Sequence, residues 1–135
     1  MNILIDASAL MPVLIDEQDK GQIIAVTKGH ELLVPSVLPY EIGNALTRLK
    51  KRQILNDRQV LAVYKEFLKI PLRFMDIEIE KALQIACKYN IYAYDAYYLE
   101  TAYRLDLPLL TLDSQMKKIA IDINIRILEV TNESL

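Results

Sequence analysis

Four acidic residues stand where they can do chemistry. Asp6 ends the apolar run Asn2-Ile3-Leu4-Ile5, and Asp113 ends the run Leu109-Leu110-Thr111-Leu112. Glu41 and Asp95 lie in helical stretches, around Tyr40-Glu41-Ile42-Gly43-Asn44-Ala45-Leu46 and Tyr94-Asp95-Ala96-Tyr97-Tyr98-Leu99. Oxygen donors of this kind select hard divalent cations, Mg²⁺ or Mn²⁺, over zinc. Cys87 and His30 are the only residues of their types, so a multi-histidine metal site and a zinc-type Cys/His cluster are excluded. Acid–base work then falls to carboxylates, Lys, Tyr or a metal's water. If the four acids meet, each pair about 4 Å apart repels by roughly 4 kcal/mol at an effective dielectric near 20. Such a cluster must take up protons, bind metal or face cations. Each acid also has a plain structural use. Asp6 and Asp113 can cap the helices that follow, Asp95 can serve its helix dipole, and Glu41 can sit on a solvated surface. Spacing alone does not decide between the two.

The elements that would position these acids follow from periodicity. Asn2 to Asp6 is a continuous apolar run, as in a strand buried on both faces of a parallel sheet. Ser8 is expected to cap a following helix with Ala9, Leu10, Met11 and Leu14 apolar. A helix over 18–28 is expected to end at Gly29, and a strand over 31–34 to stop at Pro35. A long helix runs from about Leu38 to Arg52, with Leu38, Ile42, Ala45, Leu46 and Leu49 inward. Glu41, Asn44 and Arg48 form a separate polar stripe on it. Asn56 or Asp57 caps the next helix, with Val60, Leu61, Tyr64, Phe67 and Leu68 apolar. Leu72-Arg73-Phe74 reads as a third strand. Asp76 is expected to open a helix to Tyr89 with Ile79, Ala82, Leu83 and Ala86 inward. The helix holding Asp95 closes near Asp106, with Ala96, Leu99, Ala102 and Tyr103 apolar. After the run ending in Asp113 come a short helix over 114–120, a last strand over 121–130 and a tail from Thr131. Short apolar strands alternating with amphipathic helices give an α/β fold on a mostly parallel sheet, and in such sheets sites form beyond the carboxyl ends of the strands.

The 135 residues suit one domain, 1–135, and its 53% hydrophobic and 25% charged content fits a globular chain. The formal charge is −2, becoming +2 once the four acids are set aside, which suits a phosphodiester around an acidic, metal-filled centre. Cys87 sits beside Ala86 at a helix-like position and reads as a buried apolar thiol. No signal peptide is evident, because Asp6 breaks the apolar N-terminus and no basic flank precedes it. No apolar run approaches a membrane span. The chain reads as cytoplasmic.

Together, Ile3-Leu4-Ile5-Asp6-Ala7-Ser8, Tyr40 to Leu46, Tyr94 to Leu99 and Leu110-Thr111-Leu112-Asp113 resemble the PIN-domain family, and within it the VapC-like ribonuclease toxins of toxin–antitoxin pairs. The resemblance runs from Asn2 to about Val130. It implies a three-layer α/β/α sandwich and a Mg²⁺- or Mn²⁺-dependent endoribonuclease. Asp6 then matches the first-strand aspartate and Glu41 the helix glutamate. Asp95 matches the aspartate of the Tyr-Asp-Ala motif, and Asp113 that of the Thr-x-Asp motif. Ser8 matches a small hydroxyl near the site and Asn44 a polar neighbour of the glutamate. Ala7 departs from the Thr of many members without touching a carboxylate. The resemblance also implies products with a 5′-phosphate and a 3′-hydroxyl, a homodimer and a small cognate antitoxin.

Arg48, Lys50, Lys51, Arg52 and Arg58 are candidates to grip the RNA backbone, against the reading of a solvated helix end. Tyr92, Tyr94, Tyr97 and Tyr98 are candidates to stack bases, with core packing the use of at least half of them. Rival readings remain. A haloacid-dehalogenase-type phosphatase would use Asp6 as nucleophile but wants an acid where Ser8 stands. A phospho-receiver domain wants paired acids after the first strand and a late Lys. A non-catalytic RNA- or protein-binding module needs only that the acids tolerate a cation.

Overall fold

Ile3, Leu4 and Ile5 are wholly buried. Side chains alternate along a strand, so a strand buried at three successive residues is covered on both faces. That strand, β1 (Asn2–Ile5), lies inside the sheet. The computed structural model describes residues 1–130. After β1 come α1 (Ala7–Leu14), α2 (Lys20–Thr27), β2 (Glu31–Pro35), α3 (Leu38–Lys51), α4 (Asp57–Phe67) and β3 (Leu72–Met75). Then follow α5 (Ile79–Tyr89), α6 (Ala93–Leu105), β4 (Leu109–Leu110) and α7 (Ser114–Asp122).

The sheet is parallel throughout, in the order β3-β2-β1-β4. Leu4 pairs with Leu33 on one side and with Leu109 on the other. The chain therefore starts in the middle, builds β2 and β3 outward on one side, and returns to place β4 on the other. Its direction of winding reverses between β1 and β4. A crevice opens beyond the carboxyl ends of those two strands, and such a crevice is where open α/β sheets bind ligands. Helices α1 to α4 pack on one another, while α6 joins α5, α7 and β2. The expected three-layer α/β/α arrangement is the one observed.

The helix α6 is the most enclosed. Ala96, Tyr98, Leu99, Glu100, Thr101 and Ala102 are all buried. Its one buried charge pairs with Arg104, whose guanidinium also reaches Glu78 and the Asp76 carbonyl, tying α6 to the chain ahead of α5. Asn90 and Asp106, both left-handed, end α5 and α6. Asn and Asp tolerate this conformation better than other side chains with a Cβ. The turn at Asn90 returns the chain against α5 and so sets where the first turn of α6 comes to rest.

Several expectations need correction. Asp6, not Ser8, caps α1. The strand β2 does stop at Pro35, which is itself its last paired residue, opposite Met75. Asn56 caps α4 in a reciprocal capping box with Gln59. On α4, Val60, Val63 and Phe67 turn inward, while Leu61 and Leu68 are exposed. The helix α5 begins at Ile79, not Asp76, and Ile79, Leu83 and Cys87 lie on its outer face. Cys87 is thus not buried. Tyr103 is exposed as well. The expected strand over 121–130 is absent among the described residues. Residues 121 and 122 finish α7, Asn124 turns left-handed, and one bridge joins Ile127 to Leu109. With only two residues, β4 offers almost no ladder to extend. The tail from Thr131 lies outside the described residues.

Ala82 and Ala96, both wholly buried, belong to the packed seam of α5 and α6. Ala82→Leu is expected to cost about 1–3 kcal/mol in denaturant unfolding by overpacking that seam. Leu83→Ala, one residue on and exposed, should change stability by less than about 0.5 kcal/mol. Equal effects would show that the inward face of α5 is misassigned.

Candidate active site

Asp6 leaves β1 and enters the first turn of α1 with its side chain folded back. Its Oδ1 accepts from the Ala9 N–H at 3.1 Å and from the Ser8 hydroxyl at 2.7 Å. Its Oδ2 accepts from the Thr111 hydroxyl at 2.5 Å. Those hydroxyls also accept, Ser8 from the Leu112 N–H and Thr111 from the Asp113 N–H. The start of α1 is thereby stitched to the segment after β4. Asp113 caps α7 through Oδ1, which accepts from the Gln115 and Met116 N–H groups. Both aspartates are therefore caps, as the plain reading held.

The capping does not remove them from the crevice. Asp6, Glu41, Asp95 and Asp113 line a single cavity of about 250 Å³ together with Ser8, Ala45, Arg48 and Tyr98. Each element delivers one acid: β1 and β4 lead to Asp6 and Asp113, and the first turns of α3 and α6 carry Glu41 and Asp95. Their fields overlap in a closed ring. Asp113 repels Asp6 and Asp95, while Glu41 feels both Asp6 and Asp95.

Burial raises the Asp6 carboxyl from 3.8 to about 6, outweighing its three hydrogen bonds, and Asp113 adds a smaller push. Glu41 is raised mainly by burial, with repulsion from Asp6 and Asp95 in the same direction; the Tyr98 hydroxyl opposes the rise. Asp95 is raised by burial and by Asp113. Tyr98 is itself held protonated, first by burial and then by the acids beside it. Its hydroxyl donates to Glu41 Oε1.

A hard cation suits this donor set. Among the described residues, Glu41 Oε2, both oxygens of Asp95 and Asp113 Oδ2 accept no hydrogen bond from the protein. As placed, no three Asp, Glu, His or Cys side chains among the described residues form a closed cage. Such spacing fits Mg²⁺-like binding, in which one or two carboxylates bind directly and water fills the other positions.

The other sequence candidates divide. Arg48 lines the acidic cavity and makes no ion pair among the described residues. Asn44 lies on the same face of α3 beside it, in an adjoining trough. Lys50 and Lys51 face a different recess beyond the end of α3, and Lys50 pairs with Asp57 at 3.0 Å. Arg52 lines neither the acidic cavity nor the trough, and Arg58 stands near Lys50. Of the tyrosines, Tyr98 is buried as a support for Glu41, Tyr97 is half-buried, and Tyr92 and Tyr94 are exposed. Thr111, given no role within its motif, holds Asp6, and Tyr98, a candidate to stack bases, supports Glu41 instead. Their signals were present: Thr111 stands two residues before Asp113, and Tyr98 stands three after Asp95 on the same helix face.

The raised Asp6 carboxyl makes stability depend on pH. Between 3.8 and about 6 the folded chain holds a proton that the unfolded chain has released, so stability falls as pH rises through that window. The full cost, about 3 kcal/mol, applies above it. In metal-free buffer, Asp6→Asn is expected to be more stable than wild type by up to about 3 kcal/mol at pH 7.5 relative to its difference at pH 4. Denaturant titrations at both pH values check this, and a difference that stays flat contradicts it.

Comparison with known proteins agrees with this geometry. The family model described as "PIN domain" matches residues 3–122. A curated relative, "Ribonuclease VapC3" of Pyrobaculum aerophilum, is 27% identical over 121 residues, covering 86% of this chain and 92% of that protein. Among solved structures, VapBC2 from Rickettsia felis, bound to a DNA fragment from their promoter, superposes with a TM-score of 0.67 at 14% identity, covering 95% of this chain and 98% of that one. FitAcB from Neisseria gonorrhoeae gives a TM-score of 0.68 at 15% identity, covering 96% and 97%. The matched span runs from β1 to the end of α7 and takes in all four acids, and on it the chain belongs to the PIN domain family.

Proposed function

We propose that this chain is a divalent-metal-dependent endoribonuclease and the toxin of a toxin–antitoxin pair. The observation that carries the reading is the ring of four carboxylates in one cavity where the winding of the parallel sheet reverses between β1 and β4, with Arg48 as the only cationic lining residue among the described residues. Family membership and the relatives named ribonucleases support the same reaction. Asp6, Glu41, Asp95 and Asp113 are the residues to hold Mg²⁺ or Mn²⁺, some through water. The chemistry that such an ion supplies is acidification of a water and withdrawal of charge from the scissile phosphate.

The protein's own contributions follow from the contacts. Ser8 and Thr111 fix the Asp6 carboxylate, and Tyr98 fixes one oxygen of Glu41 so that the other faces the cavity. Arg48 offers a guanidinium to a phosphate beside the reacting one. Asn44 supports the same stripe, while Lys50, Lys51 and Arg52 extend positive charge past the end of α3. The phosphatase alternative needs a free nucleophilic oxygen on Asp6. Oδ1 accepts two hydrogen bonds and Oδ2 one, at 4% exposure, which leaves a lone pair for a cation but no exposed oxygen for attack on a phosphoryl group and speaks against that alternative.

The likeness to VapBC2 and FitAcB supports a small antitoxin as partner. A homodimer acting on RNA in the cytoplasm belongs to the same proposal. Among the described residues no helix is long and apolar enough to cross a membrane.

RNA cleavage by purified protein, with Mg²⁺ or Mn²⁺ against EDTA, tests the activity. Cutting should require the metal. Asp95→Asn should lower it by at least the roughly 10–100-fold lost when an outer-shell partner of a metal site is removed. Metal-independent cutting, or full activity in Asp95→Asn, contradicts the assignment.

A further inference from the structure

Two thioethers share the cavity with the four carboxylates and Arg48. Met11 lines it from α1 and Met116 from α7. They differ in access: Met116 is 3% exposed, whereas Met11 is half-buried. Ala7, Ser8 and Met11 share the face of α1 that meets the cavity, at helical spacing, while Ala9, Leu10 and Pro12 are buried. Met1, Met75 and Cys87 do not line this cavity. Among the described residues, Met11 is therefore the one sulfur inside the site that solvent reaches.

Met11 has little in common with its polar neighbours. A thioether is a soft donor and adds nothing to a hard cation held by carboxylates. It is also only a weak acceptor for a guanidinium. In its reduced form it is a flexible apolar wall, packed in part against the core. Oxidation to the sulfoxide makes the same side chain polar and gives it an oxygen that accepts hydrogen bonds. Arg48 is the only cation lining the cavity and makes no ion pair among the described residues, so its donors are free to take that oxygen. Both side chains are long, and both meet one cavity of about 250 Å³.

We propose that Met11 is a reversible oxidation site: a peroxide converts its thioether to the sulfoxide, whose oxygen accepts from the Arg48 guanidinium and withdraws it from the RNA phosphate. The proposal rests on the nuclease reading of the acidic cavity and adds a way of turning that site down. In the oxidation, the sulfur lone pair attacks one peroxide oxygen and the O–O bond breaks. Sulfur is oxidised by two electrons, and the other oxygen takes up a proton and leaves as water. A methionine sulfoxide reductase, supplied with two thiols, removes the added oxygen as water and leaves a disulfide.

The test treats the purified chain with hydrogen peroxide in EDTA and then destroys the peroxide with catalase. Peptide mass spectrometry should find Met11 heavier by one oxygen and Met116 unchanged. After exchange into Mg²⁺, RNA cleavage should be slower by about 10- to 150-fold, the loss of one charge-assisted contact to phosphate. Mn²⁺ binding, followed by electron paramagnetic resonance, should be kept. Methionine sulfoxide reductase should restore cleavage. Met11→Leu, a volume-conserving exchange, should cut RNA as wild type does and keep its rate after peroxide, although Met1, Met75 and Cys87 are still present. In Arg48→Ala, oxidation of Met11 should slow cleavage no further.

The inference is overturned if Met11 resists peroxide that oxidises Met1, if its sulfoxide forms with cleavage unchanged, or if Met11→Leu loses activity to peroxide as its parent does. Loss of Mn²⁺ binding on oxidation, or an equal further loss of cleavage in Arg48→Ala, would move the effect away from Arg48 and overturn it as well. If the untreated chain cuts no RNA with either metal, the nuclease reading itself fails, and this inference falls with it whatever the mass spectrum shows.

Discussion

Asp6 is a carboxylate carried by a buried strand into a place where little water reaches it, and the rest of the site is arranged around that constraint. β1 fixes its position because Ile3, Leu4 and Ile5 are packed on both faces. Ser8, Ala9 and Thr111 all donate to it, yet burial still wins and lifts the carboxyl to about 6. Three further acids then crowd the same crevice. A fold that is stable by only about 5–15 kcal/mol tolerates such an arrangement when the charge has another use. Oxygen atoms left without protein donors on Glu41, Asp95 and Asp113 point to a hard cation as that use.

The hydrogen bonds that hold Asp6 also hold the fold. Ser8 and Thr111 lie on opposite sides of the β1–β4 switch, and their hydroxyls converge on one carboxylate. Asp113 repeats the economy, capping α7 with one oxygen and leaving the other toward the cavity. Capping and metal binding are therefore not competing explanations of these aspartates. The capping bond orients the carboxylate, and orientation is what the site requires. Glu41 is steadied differently, by the buried Tyr98 of the next layer, so α3 and α6 are coupled through the site itself.

The parts legible in sequence were those governed by one strong signal. The continuous apolar run before Asp6 gave a buried parallel strand, and the place of such strands gave the crevice. The stripe of Glu41, Asn44 and Arg48 follows helical spacing and does share one face of α3, Glu41 and Arg48 in the cavity itself and Asn44 in the trough beside it. Where several elements compete for one residue, the pattern fails. On α5, Leu83 and Ala82 both look fit for the core, and only the close approach of α6 decides for the alanine. The helix α6 is enclosed by β2, α5 and α7, so reading one apolar stripe on it placed Tyr103 inward and undervalued Tyr98. Cys87 follows the rotation of α5 outward. Residues 121–130 have strand-like composition, but a two-residue β4 leaves them only one bridge. Lys50, Lys51 and Arg52 were grouped with Arg48 by sequence proximity, whereas a few residues of helix separate the basic end from the acids.

The most direct measurement of the central claim is Mn²⁺ binding to the purified chain, followed by electron paramagnetic resonance of the free ion. Wild type should bind Mn²⁺ at neutral pH, excess Mg²⁺ should displace it, and Asp6→Asn and Asp95→Asn should each bind markedly more weakly. A wild-type chain that binds no Mn²⁺, or variants that bind it as well as wild type, would show that the four acids are caps and surface charges and not a metal centre.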